Sequence, residues 1–285
     1  MKLASYKTGI RCTYGAVIGD EIFDLRSLGL PEDLNVAIGT VDFSALDIPQ
    51  GLPSHRISDV EFLPAIPAPR HIWAMGLNYE SHRLEVGAPI SQYPTLFTRY
   101  ASSLTSHNGP IVRPRVSADL DYEGELAVVI GRRGRYISKE AASDHIFGYS
   151  CFNDASVRDW QLRTSQFAAG KNFPSTGAFG PVVVTRDEMP ALSGCSIETR
   201  VNGLSVQHAR LDELIFPVEE IVAYVSNLCE LLPGDVIITG TPGGVALKRG
   251  PSSYLKDGDL VEVEISCIGV LSNRVRDETG ASLAA

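Results

Sequence analysis

The chain lacks most of what would mark it for a nucleic acid, a membrane or a nucleotide. Its 285 residues hold 25 Lys or Arg against 34 Asp or Glu, a formal charge of -9. There is therefore no basic excess with which to hold a polyanion or an anionic lipid surface. No apolar run approaches the roughly 20 residues that a membrane-spanning helix needs. The opening Met1-Lys2-Leu3-Ala4-Ser5-Tyr6 has no apolar stretch of the signal-peptide kind, so a cytoplasmic protein is expected. Neither the GxxxxGK phosphate loop nor a GxGxxG after a first strand occurs, which argues against nucleotide binding. The five cysteines, Cys12, Cys151, Cys195, Cys229 and Cys267, form no CxxC pair and are odd in number. They read as reduced, mostly buried thiols. Internal repeats and low-complexity tracts are absent as well.

What is present is ordinary globular material, with 44% hydrophobic residues and a mean hydropathy of +0.03, enough for a sizeable core. Residues 1 to about 63 alternate short strand-like pieces with turns, including a hairpin signal at Gly19-Asp20. The proline-spaced run Pro64-Ala65-Ile66-Pro67-Ala68-Pro69 then reads as an extended linker. The expected division is a small accessory domain over 1–68 and a main domain over 69–285. Farther on, Ser138–His145 reads as a short helix and Val201-Asn202-Gly203-Leu204 as a hairpin turn. The strongest helix opens at Phe216-Pro217 and is ended by Pro233-Gly234. Leu260–Ile265 alternates as a half-exposed strand.

Most of the chemistry lies in Asp121-Tyr122-Glu123-Gly124-Glu125, which runs into Leu126-Ala127-Val128-Val129-Ile130. The apolar half reads as a buried strand. Strand side chains alternate faces, so Asp121, Glu123 and Glu125 are expected on one face. Carboxylates crowded on a partly buried face repel one another and lose hydration unless a cation sits among them, which predicts a site for a hard divalent ion. A solvated strand face is the competing reading.

After the strand Ile72–Leu77, Asn78 is placed to cap a helix on which His82 and Glu85 lie one turn apart. A carboxylate at that spacing fixes the tautomer of an imidazole and raises its basicity, as a general base near neutral pH requires. A surface pair is the alternative. Gly87, Pro89, Ser91 and Pro94 form an irregular cover. A second strand ends on Asn153-Asp154 and leads into a predicted helix, on which Asp154, Arg158 and Gln161 share one row, a carboxylate beside donors for an anion. Lys171 follows Gly170 in a predicted loop. Thr241 offers a hydroxyl from a glycine-rich loop whose backbone can approach a small ligand closely.

Gly76-Leu77-Asn78-Tyr79 with His82, Asp121–Leu126, Asn153–Asp159, Gly170-Lys171 and Thr239-Gly240-Thr241-Pro242 follow one another in the order found in the fumarylacetoacetate hydrolase family. The sequence resembles that family over about residues 70–275. The resemblance implies an α+β, mostly β fold: a mixed β-sandwich roll preceded by a small N-terminal α/β accessory domain, assembled as a homodimer. It implies Mg2+ or Mn2+, with Ca2+ also admissible at an oxygen-rich site, held by Glu123, Glu125 and Asp154. Asp121 then falls at the rim or just behind these ligands. The same resemblance makes His82 the base with Glu85 as its partner, adds Lys171 as a catalytic residue, and assigns substrate contacts to Arg158, Gln161, Thr241 and Arg99. At Arg99 many members carry Lys. The implied reaction is hydrolysis of a carbon-carbon bond in a 1,3-dicarbonyl acid of the acylpyruvate type, a small anionic 2-oxo acid, in the breakdown of aromatic compounds. Decarboxylation of an oxaloacetate-like acid and isomerisation of an unsaturated 2-oxo diacid use the same groups.

Overall fold

A computed structural model describes residues 1–279; residues 280–285, the end of the expected main domain, lie outside it. The N-terminal segment forms β1 (Lys2–Thr8), β2 (Arg11–Ile18), β3 (Glu21–Asp24), helix α1 (Leu34–Thr40), β4 (Ser54–Arg56) and β5 (Glu61–Phe62). The Gly19-Asp20 hairpin falls where the sequence places it, with Ile18 opposite Glu21. The main region continues with β6 (Ile72–Gly76), α2 (Glu80–Val86), β7 (Thr95–Arg99), β8 (Leu104–Thr105), β9 (Ile111–Arg113), β10 (Leu120–Asp121), β11 (Gly124–Ile130) and β12 (Ile146–Asp154). Then come β13 (Ser156–Val157), α3 (Arg158–Gln161), α4 (Ala168–Lys171), β14 (Gly177–Thr185), β15 (Ser196–Val201), β16 (Leu204–Arg210), α5 (Val218–Leu228), β17 (Val236–Ile238), β18 (Leu260–Ile265) and β19 (Gly269–Asp277).

Two mixed sheets account for the architecture. The larger runs β4-β3-β2-β1-β14-β12-β11-β17-β6-β7, with β5 added on β1 and β8 on β14. The smaller runs β16-β15-β18-β19-β9. The N-terminal strands thus join the main sheet through β1, where Lys2 lies opposite Val184. Ala65 and Ile66 of the proline-rich segment are fully buried.

Side-chain parity on β11 and β12 decides where chemistry can go. Leu126, Val128 and Ile130 point into the core between the sheets with Ile197, Val263 and Leu271. Ala127 and Val129 take the opposite face, against Leu3, Phe152 and Ile238. A slip of one residue would turn each of these side chains to the wrong layer, so the register is strongly pinned. That same parity sends Glu125 to the face of Ala127, and Asp154 to the face of Phe152. Gly124 lies opposite Asn153 and Glu125 opposite Phe152, while the Asp154 N–H donates to the Glu123 carbonyl at 2.8 Å. Glu123, Glu125 and Asp154 therefore converge at one end of the paired strands. On the inter-sheet face Gly124 has no room for a side chain, because a Cβ there would sit 2.1 Å from Thr199 Oγ1.

Several local expectations are corrected. The acidic run is not one strand: Asp121 belongs to β10, which pairs with β13, and β11 starts only at Gly124. Asn78 does not cap α2; Tyr79 holds that position, and the Asn78 amide donates to the Thr239 carbonyl at 2.8 Å. Asp154, Arg158 and Gln161 do not share a helix, because the ladder hydrogen bond of Asp154 extends β12 and α3 begins only at Arg158. Lys171 closes the short helix α4, and the helix expected over Ser138–His145 is one 3-10 turn, Ala142–His145. Helix α5 buries Val218, Ile221, Val222 and Val225 as expected but ends at Leu228, ahead of Pro233-Gly234.

Cys195 and Cys267 are not reduced but disulfide-bonded. The pairing of β15 with β18, Ile197 opposite Ile265, carries the residue before β15 to the turn after β18 and leaves the Cα atoms 6.0 Å apart, a separation a disulfide spans. Thiol titration of the unfolded, unreduced protein is expected to find Cys12, Cys151 and Cys229 alone; five reactive thiols would contradict the pairing. No described helix is long and apolar enough to cross a membrane.

Candidate active site

Carboxylate oxygens of Glu123, Glu125 and Asp154 lie within 4.8 Å of one another, all three residues buried. Two of the three are matched by cations. Glu123 accepts from Lys171 Nζ at 2.7 Å and pairs with Arg158 at 2.6 Å. Asp154 takes Lys171 on one oxygen and Arg99 on the other. Burial alone would raise the Glu123 pKa, but Lys171 and Arg158 outweigh it and bring it down to about 2. Glu125 is different. One of its oxygens accepts from the Gly240 N–H at 2.5 Å, and Oε1 is buried with no hydrogen-bond partner. Burial, and after it the charges of Asp154 and Glu123, push the Glu125 pKa well above the ordinary carboxylate range.

The charge count points the same way. Asp121, Glu123, Glu125 and Asp154 oppose Arg99, Arg158 and Lys171, each of them under a tenth exposed, which leaves one negative charge in excess. An unpartnered carboxylate oxygen beside two further carboxylates, in a set of oxygen donors only, fits a hard divalent cation. An acidic triad able to hold a metal is thus built into the fold.

Around the triad the chain supplies a rigid frame. Arg158 donates through Nε to Asp121 at 2.8 Å and through a second nitrogen to the Gln161 side-chain oxygen at 2.7 Å; burial opposes its charge, but the Asp121 and Glu123 carboxylates prevail and hold its pKa above the ordinary arginine value. Asp121 is fully buried rather than at the rim. It accepts from the backbone N–H groups of Ala246 at 2.8 Å and Leu247 at 3.0 Å, tying the loop after β17 to the site. Gly170 lets α4 dock on α3: a Cβ there would lie 2.6 Å from both Gln161 N and Val157 O. Since those are backbone atoms that cannot yield cheaply, Gly170→Ala is expected to cost about 1–3 kcal/mol, read as a lower urea midpoint. An unchanged midpoint would show that α4, and Lys171 with it, is not positioned by this contact.

His82 and Glu85, on successive turns of α2, do meet: His82 Nδ1 lies 3.3 Å from Glu85 Oε2. Glu85 is fixed in turn by the Gly244 N–H at 3.0 and 3.1 Å. Burial raises the Glu85 pKa, but the hydrogen bonds from His82 and the Gly244 backbone prevail and lower it. The glycine-rich loop therefore brings its backbone to carboxylates, Gly240 to Glu125 and Gly244 to Glu85. Gly240 has a φ of 100°, and a Cβ there would lie 2.7 Å from Asn78 Cβ, so the close approach needs glycine.

A cavity of about 160 Å3 opens onto His82, Glu123, Arg158, Gln161, Lys171 and Thr241. That is small beside the roughly 300–1,000 Å3 of sites for drug-sized ligands. The Thr241 hydroxyl donates to the Gly124 carbonyl at 3.0 Å and accepts from Gln207 at 2.8 Å. Arg99, expected to touch substrate, does not line the cavity. Its guanidinium lies behind Asp154, held by the Ala155 carbonyl and the hydroxyls of Ser103 and Thr176, because β7 delivers it to the far side of that carboxylate. Three residues support the site through contacts the sequence did not suggest. The Gln207 side-chain oxygen accepts from Gly124 N at 3.0 Å, Asn153 accepts from Glu123 N at 3.0 Å, and Asn78 bridges Thr239 and Phe216. Only Asn78, a polar residue directly after an apolar strand, carries a local signal.

The chain belongs to the fumarylacetoacetate hydrolase family: the family model described as fumarylacetoacetate (FAA) hydrolase C-terminal matches residues 71–276. Among its relatives, mitochondrial oxaloacetate tautomerase fahd2 of Xenopus laevis is 40% identical over 234 residues, covering 81% of this chain and 73% of that protein. Oxaloacetate tautomerase YisK of Bacillus subtilis is 41% identical over 226 residues, 78% of this chain and 75% of that one. Of solved structures, the fumarylacetoacetate hydrolase of Exiguobacterium antarcticum superposes with a TM-score of 0.87 at 34% identity, covering 98% of this chain and 100% of that one. Maleylpyruvate hydrolase from Sphingobium sp. SYK-6, in complex with manganese(II) ion and pyruvate, gives 0.81 at 28% identity, with coverage of 98% and 100%.

Proposed function

We propose that this protein is a metal-dependent enzyme that moves the C3 proton of a small 2-oxo acid and so interconverts its keto and enol forms. The observation that carries the reading is that one base, His82 held by Glu85, lines a small cavity together with Glu123, the member through which the buried Glu123, Glu125 and Asp154 cluster reaches it. Mg2+ or Mn2+ suits that donor set, and when bound such an ion draws electron density from the 2-oxo group and acidifies the neighbouring C–H. With Nδ1 engaged by Glu85, His82 keeps Nε2 free to take the C3 proton and return it. Lys171 and Arg158 hold positive charge beneath the site as the 2-oxygen gains negative charge. Gln161, whose amide nitrogen is not engaged by the described chain, orients the acid, and Thr241, held by Gly124 and Gln207, shapes the floor beside it. The tautomerase names of the relatives at about 40% identity support the keto-enol reading.

Hydrolytic cleavage of an acylpyruvate is a second reading, favoured by the same dyad, since a histidine held in this way takes a proton from water as readily as from carbon. The name of the Sphingobium neighbour supports it. Incubating the Mn2+-loaded protein with oxaloacetate and with acetylpyruvate, following enol absorbance and analysing products by mass spectrometry, separates the two. Enol loss from acetylpyruvate above the buffer rate without fragments is the expected result. Release of pyruvate and a second acid would favour hydrolysis, and no effect on either acid would remove both readings.

A further inference from the structure

Exposure orders the cavity by depth. His82, Glu123, Arg158, Gln161, Lys171 and Thr241 are nearly inaccessible and form its floor, whereas Leu162 at the mouth is 59% exposed. Between floor and mouth the half-buried lining is apolar: Leu77, Val86, Phe97, Phe167 and Leu247. Among the described lining residues the cations are Arg158 and Lys171, and both are committed to carboxylates. No cation among the described lining residues faces the outer half.

We infer that the acid taken here is a monoanion whose distal end is uncharged and apolar, read by Leu77, Val86, Phe97, Leu162, Phe167 and Leu247. The inference rests on the 2-oxo acid reading above and deepens it by naming the substrate class. A carboxylate placed among these side chains gives up its hydration and meets no counter-charge, which weakens its binding. The charge of the buried cluster beneath the floor agrees. With its carboxylates ionised, the buried set beneath the floor, Asp121, Glu123, Glu125 and Asp154 against Arg99, Arg158 and Lys171, has an excess of one negative charge that becomes one positive when a divalent ion is added, and a single carboxylate neutralises that. A dianion such as oxaloacetate, named for the tautomerase relatives, leaves its second charge unmatched.

Unreactive oxamates test this without turnover, because they carry the carboxylate and carbonyl of a 2-oxo acid on a variable tail. With the Mn2+-loaded full chain, calorimetry is expected to find N-butyl oxamate at least about tenfold tighter than N-oxalylglycine, whose tail ends in a carboxylate. Leu162→Arg, at a position exposed enough to accept the change, is expected to move that ratio about tenfold toward N-oxalylglycine. Equal affinities in the wild type, a preference for the charged tail, or a ratio unmoved by Leu162→Arg would overturn the inference while leaving the 2-oxo acid reading in place. If neither oxamate binds, the 2-oxo acid reading fails and this inference fails with it.

Discussion

Replacing His82 by Ala is expected to lower kcat by at least about a hundredfold, the usual contribution of a positioned general base, while Mn2+ affinity and KM stay near wild-type values. The split follows from geometry. His82 lines the cavity but touches none of the three clustered carboxylates; its hydrogen bond goes to Glu85. Removing it takes away a proton acceptor and leaves the ion site and the anion floor as they were. Glu85→Gln keeps an acceptor for the Gly244 N–H and lacks only the charge that favours protonated His82, so a smaller loss is expected, on the order of tenfold. Equal losses of kcat and of Mn2+ affinity in His82→Ala would mean that the histidine supports the metal site instead. A kcat near the wild-type value would remove it from the reaction.

The second large effect concerns Glu125, whose ionised form the metal-free fold disfavours. Its folded-state pKa lies well above the ordinary 4.5. Its stabilising contribution is therefore fully present below about pH 4.5 and is lost as pH rises toward the folded value. Glu123 has the opposite sign: with a pKa lowered to about 2, its contribution is present above about 4.5 and lost as pH falls toward 2. Between pH 5 and 8 the metal-free protein is thus expected to lose thermal stability with rising pH through Glu125. A bound divalent ion reverses this, since the ion prefers the ionised carboxylate and its binding releases a proton. Glu125→Gln, neutral and of the same shape, is expected to match or exceed the metal-free wild type in Tm at pH 8 yet to bind Mn2+ at least about a hundredfold more weakly. Thermal melts with chelator or with Mn2+ across this range check both halves. A Glu125→Gln variant that keeps wild-type Mn2+ affinity would take Glu125 out of the ligand set.

Much of the site was legible in the sequence because its signals are local. The apolar run after Glu125 makes β11 buried, and once a strand is buried on both faces its parity decides where Glu125 points. His82 and Glu85 lie a helical turn apart, so their pairing needs only α2. Asp121 shows where local reasoning fails: alternation puts it on the carboxylate face, but the ladder breaks at Tyr122 and Glu123, and Arg158 with two backbone N–H groups claims it. Arg99 fails differently. Nothing near it in the chain reveals that Asp154, 55 residues away, will sit against its guanidinium. Gln207 and Asn153 act through partners 83 and 30 positions away, and a buried amide on a strand looks like any polar residue until its neighbours are in place. The N-terminal segment reads as self-contained because its hairpin is local, whereas the pairing of β1 with β14 joins residues more than 170 positions apart.

On the function proposed here, the cavity moves a proton at C3 of a 2-oxo acid with the help of a divalent metal ion. Deuterium incorporation at that carbon, followed by proton NMR in heavy water, tests it most directly. A 2-oxo acid with an alkyl tail should exchange its C3 protons much faster with the Mn2+-loaded protein than with the chelated protein or with His82→Ala. Exchange no faster than in buffer, or as fast without metal as with it, would contradict the claim.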